Sequence, residues 1–159
     1  MMQMQPPEAE TAGFFALLVE RLFGPRPEKP KVEVRPVEQA GALYPRNWGE
    51  FIGQKDLVRL LQMEVESAKA SNRPLAHLLA YGPPGTGKTA MAHVLAAEMG
   101  ADLYESTGPE FPDQMAVFAA LDDITELHER TRKSVIWLID EIDGMARSST
   151  YSLHGILTH

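Results

Sequence analysis

The octapeptide Gly82-Pro83-Pro84-Gly85-Thr86-Gly87-Lys88-Thr89 lies between the apolar run Leu78–Tyr81 and the helix-forming stretch Thr89–Met99. It has the form G-x-x-x-x-G-K-T. Three glycines let the backbone curl so that successive N–H groups point into one concavity, to which a helix N-terminus adds its positive dipole end and Lys88 a full charge. The β and γ phosphates of a nucleotide fit that concavity. The Thr89 hydroxyl is placed to ligate Mg²⁺, a hard cation that prefers oxygen and bridges the same phosphates.

The order of elements around this loop follows from hydrophobic spacing. Val58, Leu61, Val65 and Ala68 recur at helical intervals in Lys55–Ala70, and Ser71-Asn72-Arg73-Pro74 ends that helix. Leu78–Tyr81 and Asp102–Glu105 are short enough for strands. Val117, Leu121, Ile124 and Leu127 mark a further helix that ends before Arg132-Lys133. Val135-Ile136-Trp137-Leu138-Ile139 is unbroken and apolar, as in a strand buried on both faces of a parallel sheet. Strand, helix, strand, helix, strand in this order predicts a doubly wound α/β domain with a parallel sheet.

Upstream of that domain the pattern changes. A short apolar helix carrying Phe14, Phe15, Leu17, Leu18, Val19, Leu22 and Phe23 is predicted within residues 1–24, stopped by Gly24-Pro25. Its face needs cover, from its own domain or from a partner. Residues 25–39 hold four prolines among charged residues and read as a solvated, extended linker. The folded domain is therefore expected over 40–159.

Composition narrows the function classes. The 159 residues are 44% hydrophobic and 23% charged, enough for one substantial core. No cysteine is present, so disulfides and thiolate metal sites are excluded. A formal net charge of −7 gives no general attraction for nucleic acid, so any DNA contact must come from a local patch or a partner. No apolar run approaches the ~20 residues that span a bilayer. Met1–Thr11 is acidic and polar where a signal peptide is basic and then apolar, so a cytoplasmic location is expected.

Asp140-Glu141 follows the buried run directly, which puts both carboxylates at the C-terminal end of a strand, where α/β sheets hold their ligands. Asp140 is expected to hold Mg²⁺, mostly through water. Glu141 is expected to orient and polarise the attacking water, because hydrolysis of a γ-phosphate needs a positioned nucleophile. His93, inside the loop helix, reads as a packed residue, Trp137 as sheet core whose indole N–H needs a partner, and Arg147 as a solvated helix residue. His77, His128, His154 and His159 show no metal-ligand spacing.

Glu50-Phe51-Ile52-Gly53-Gln54, Pro74–Leu79, the Gly82–Thr89 loop, Met91–Ala96, Thr107-Gly108-Pro109 and Asp140-Glu141-Ile142-Asp143 together resemble the AAA+ ATPases. Within them the chain is most similar to the RuvB family, the motors of Holliday-junction branch migration in DNA recombination and repair. The resemblance covers about Leu43–His154 and implies a three-layer P-loop NTPase core that binds ATP and Mg²⁺. It nominates Leu43, Tyr44, Phe51 and Ile52 as neighbours of the adenine. Gly82, Pro83, Pro84, Gly85, Thr86, Gly87, Lys88, Thr89 and Ala90, with Asp140, are nominated around the phosphates, and Thr89 and Asp140 around the metal. Lys88 and Glu141 are the catalytic pair.

The resemblance also implies a homo-oligomer, a hexameric ring in the family, that works on branched DNA beside a junction-recognition protein. Tyr44 stands where the family has arginine, Asp143 where it has histidine, and Thr86 where it usually has leucine. The last two resemble other AAA+ branches, so a clamp-loader-like or protein-remodelling ATPase is an alternative, as is a nucleotide-gated binding module with little hydrolysis. The sensor strand, arginine finger and helical lid of an AAA+ motor are not recognisable before His159. The core is therefore expected to be truncated ahead of them, and to bind nucleotide better than it hydrolyses it.

Overall fold

The structure, a computed structural model, describes residues 44–157. The helix and linker expected at 1–24 and 25–39 lie outside the described residues, as do Leu43 and His159.

Four helices and two strands make up the described chain: α1 (Lys55–Ala70), α2 (Lys88–Met99), β1 (Asp102–Thr107), α3 (Gln114–Thr131), β2 (Val135–Asp140) and α4 (Arg147–Leu157). Single 3₁₀ turns, Gly108–Glu110 and Ile142–Gly144, follow the two strands. Local chemistry sets the boundaries. The Asp113 carboxylate accepts the Ala116 N–H at 3.0 Å and caps the start of α3. Gly100, at φ 64°, takes the left-handed conformation that closes α2 and turns the chain into β1.

β1 and β2 pair in parallel, Leu103 beside Ile136, Glu105 beside Leu138 and Thr107 beside Asp140. Alternate residues therefore serve opposite faces. On one face Ile136 packs with Leu61 and Val65 of α1 and Met91 and Leu95 of α2. On the other, Tyr104, Trp137 and Ile139 pack with Phe111, Val117 and Ala120, and with Met145 and Leu153 at the α4 end. Helices on both faces of a parallel sheet give the three layers expected of a P-loop core.

The Trp137 indole N–H donates to Ser106 Oγ at 2.8 Å, and its ring meets Phe111 edge-on at 5.7 Å. Its polar atom thus has the partner the sequence demanded. Burial, then the Asp123 carboxylate beside it, pushes the Tyr104 hydroxyl above its ordinary range.

Two expectations change. Leu78–Tyr81 forms no strand: it takes no regular structure and pairs with nothing among the described residues, leaving Leu79 78% and Tyr81 92% exposed. A strand exists only through its ladder, and apolar composition cannot supply a neighbour. β2 is not buried on both faces, since all six of its residues are half-buried. Its one neighbour among the described residues is β1, so its other edge stays open. β1 in turn runs two residues beyond the expected Glu105, to Thr107.

Candidate nucleotide-binding site

The phosphate loop is built from positive-φ glycines. Gly82, Gly85 and Gly87 sit at φ 152°, 77° and 86°, a region that costs an L side chain free energy and glycine little. A Cβ on Gly85 would meet open space, so its glycine answers to backbone conformation alone. Thr86 Oγ1 donates to Pro83 O at 2.9 Å and ties the loop across its mouth. Lys88 Nζ donates to Gly82 O and Pro83 O, each at 3.0 Å, so its charge is held over the concavity. Helix α2 starts there, Met91 N–H donating to Gly87 O at 2.8 Å, and its first amides point at the loop.

The acidic pair arrives from β2. Thr89 Oγ1 donates to Asp140 Oδ2 at 2.9 Å, linking residues 51 positions apart. This contact joins the two halves of the site named from sequence. Two oxygens side by side are the donor type that a hard cation such as Mg²⁺ prefers. The Glu141 N–H donates to Asp140 Oδ1 at 3.0 Å, and Glu141 itself adopts φ 50° with an exposed side chain. The backbone turn separates the two carboxylates: Asp140 faces Thr89, and Glu141 faces solvent.

Sequence reasoning left the support of that turn unassigned. A Cβ on Gly108 would lie 2.1 Å from Glu141 O, so a side chain there would drive the Glu141 backbone out of place. Pro109 in turn packs on Gly144, where a Cβ would lie 2.9 Å from Pro109 Cδ. The Gly-Pro step after β1 was the available signal. Gln54 is a second such residue, its side-chain amide donating to Thr86 O.

Of the nominated adenine neighbours, Phe51 comes closest to the loop, its Cζ 3.2 Å from where a Gly87 Cβ would be. Ile52 is 96% exposed. Tyr44 is stacked on His93 with ring centroids 4.0 Å apart, and His93 is buried as expected. Pro84 is exposed on the loop, and Ala90 lies half-buried in the first turn of α2. Arg147, exposed, opens α4.

This constellation matches one family along nearly the whole described chain. The profile of the Holliday junction DNA helicase RuvB P-loop domain covers residues 43–157. The chain belongs to the RuvB family.

Among its relatives, the branch migration complex subunit RuvB 1 of Synechococcus sp. (strain JA-3-3Ab) is 41% identical over 104 residues, 65% of this chain and 26% of the relative. The RuvB subunit of Kosmotoga olearia is 37% identical over 106 residues, 67% of this chain and 29% of the relative. Among solved structures, the Thermotoga maritima RuvB branch migration motor superimposes with a TM-score of 0.58 at 30% identity, over 71% of this chain and 36% of that one. The chain thus spans about a third or less of the length of these RuvB proteins. The matched portion is the P-loop domain, and a P-loop domain binds nucleotide. Among the described residues no helix is long and apolar enough to cross a membrane.

Proposed function

We propose that this domain binds ATP with Mg²⁺ and hydrolyses it as the P-loop portion of a RuvB-type motor acting on Holliday junctions within a branch migration complex. The 2.9 Å contact between Thr89 and Asp140 carries the reading, because it holds a loop hydroxyl and a strand-end carboxylate where one cation can touch both. In this reading Gly82–Lys88 cradle the β and γ phosphates, and Lys88 exchanges its bonds to Gly82 O and Pro83 O for phosphate oxygens. Mg²⁺ at Thr89 and Asp140 supplies charge neutralisation for phosphoryl transfer. Glu141 accepts a proton from the attacking water. The clamp-loader-like and protein-remodelling alternatives draw no support from the relatives described above, which are RuvB proteins.

Isothermal titration calorimetry with ATP and Mg²⁺ tests the reading. Lys88→Ala removes the loop's one full positive charge and is expected to weaken binding by at least ~2 kcal/mol, since charge-assisted contacts are the strong ones. Equal affinity for both proteins would overturn the assignment. Glu141→Gln is expected to bind ATP as the parent does while turnover falls roughly 10²-fold or more. Unchanged turnover would remove Glu141 from the chemistry.

A further inference from the structure

Glu105 is an anomaly in β1. It projects from the sheet face that α2 covers, and its Oε1 is buried 3.4 Å from Nε2 of His93, itself 2% exposed. The Glu105 side chain is 26% exposed overall, so it is this one oxygen that is enclosed, and it faces the imidazole. On the other side of His93 lies Tyr44, its ring stacked on the imidazole within 10° of parallel and with centroids 4.0 Å apart. Strand, helix and the segment preceding α1 are thus joined in a line, Glu105 to His93 to Tyr44.

That segment continues from Tyr44 towards the phosphate loop. The Trp48 N–H reaches Glu98 Oε1 at 3.4 Å, and the Trp48 ring packs against the cluster between α1 and α2. Phe51 abuts Gly87, and Gln54 donates to Thr86 O. Residues 44–54 are therefore pinned at one end on His93 and at the other on the two loop residues that precede Lys88.

We propose that Tyr44, His93 and Glu105 form a clasp that positions residues 44–54 against the phosphate loop, and that Tyr44 acts on nucleotide affinity through this clasp rather than by touching the base. The proposal rests on the nucleotide-binding reading above. Glu105 fixes the imidazole, the imidazole presents its face to Tyr44, and the stacked ring holds the start of a segment whose far end shapes Thr86 and Gly87. All three are positioning residues. A parallel aromatic stack contributes on the order of 1 kcal/mol, so losing it changes affinity by roughly 3- to 10-fold.

The experiment uses the full chain with Trp137→Phe, leaving Trp48 as the one tryptophan, and two ligands, ADP and tripolyphosphate, the second having no base. Tyr44→Ala is expected to raise acrylamide quenching of Trp48 without ligand, and to weaken both ligands by the same 3- to 10-fold factor. Tyr44→Phe, which keeps the ring, should recover most of that loss. Glu105→Gln should move quenching and affinity in the same direction, and the double variant Tyr44→Ala, Glu105→Gln should lose less than the product of the two single losses, because both act through His93.

Unchanged Trp48 quenching in both single variants would overturn the clasp. So would a loss confined to ADP, which would make Tyr44 a base contact. A parent chain that binds neither ligand would instead overturn the nucleotide reading, and the quenching arm alone would then decide whether the clasp exists.

Discussion

β1 and β2 are paired residue for residue, yet they invert the usual relation between composition and burial. Asp-Leu-Tyr-Glu-Ser-Thr in β1 is mostly polar, and four of its six residues are buried. Val-Ile-Trp-Leu-Ile-Asp in β2 is almost wholly apolar, and none is fully buried. The difference lies in how tightly each strand is covered. Each has one unpaired edge among the described residues and helices on both faces, yet β1 buries Leu103 and Tyr104 fully, whereas Ile136, Trp137 and Ile139 of β2 pack only at the margins of the two clusters. Hydrophobicity therefore reports what a strand needs, while burial reports which neighbours it has.

A matched pair of substitutions tests this most severely. Leu103 in β1 is 1% exposed, and Leu138 in β2, on the same sheet face, is half-buried. Leu103→Ala is expected to cost ~3 kcal/mol in urea unfolding, and Leu138→Ala ~1 kcal/mol, because a partly exposed side chain loses less transfer energy and leaves no closed cavity. Equal costs would break the comparison, since they would mean that β2 is covered as tightly as β1 in solution.

A smaller effect sharpens it from the other face. Trp137 belongs to the half-buried strand but sends its indole N–H to Ser106 of the buried one, at 2.8 Å. Trp137→Phe keeps most of the apolar area and leaves the Ser106 hydroxyl without that donor, so a loss of ~1 kcal/mol is expected, the net worth of one hydrogen bond. Ser106→Ala in the same background should then cost only what its remaining 3.3 Å bond to Leu138 O contributes. Additive losses would show that the bond is not what the two residues share.

How far the sequence revealed these features depends on how local each one is. The phosphate loop was legible because its glycines, Lys88 and Thr89 act within eight residues, and Asp140-Glu141 because a strand end carries its meaning with it. Helices α1 and α3 were legible because their apolar period is internal to each, and α2 because a helix follows a phosphate loop of this form. Strand pairing is not local. Leu78–Tyr81 has the composition of a strand and takes none of the pairing, and Val135–Ile139 has the composition of a fully buried strand and is only partly covered on its two faces. Tyr44 on His93, Glu105 beneath it and Gly108 under Glu141 escaped for the same reason: each depends on a partner 12 to 49 positions away.

The smallest expected effect concerns the entry to the uncovered segment. Arg73 donates to Glu64 Oε1 at 2.9 Å and to Ser67 Oγ at 3.2 Å, so the chain leaving α1 is held to that helix just before Leu78–Tyr81. The hydrogen bond from Arg73, then the guanidinium's charge, holds the Glu64 carboxyl below its ordinary value. A depressed carboxylate stabilises the fold above its unfolded value and loses that contribution as pH falls through the folded one. The pair is exposed, and exposed pairs contribute little. Arg73→Gln is thus expected to return the Glu64 titration, followed by side-chain NMR, upward to the ordinary carboxylate range while leaving the unfolding midpoint at neutral pH essentially unmoved. A large fall in that midpoint would mean that the Arg73 anchor keeps residues 78–81 in a covered position after all, and the contrast between the two strands would then need a different cause.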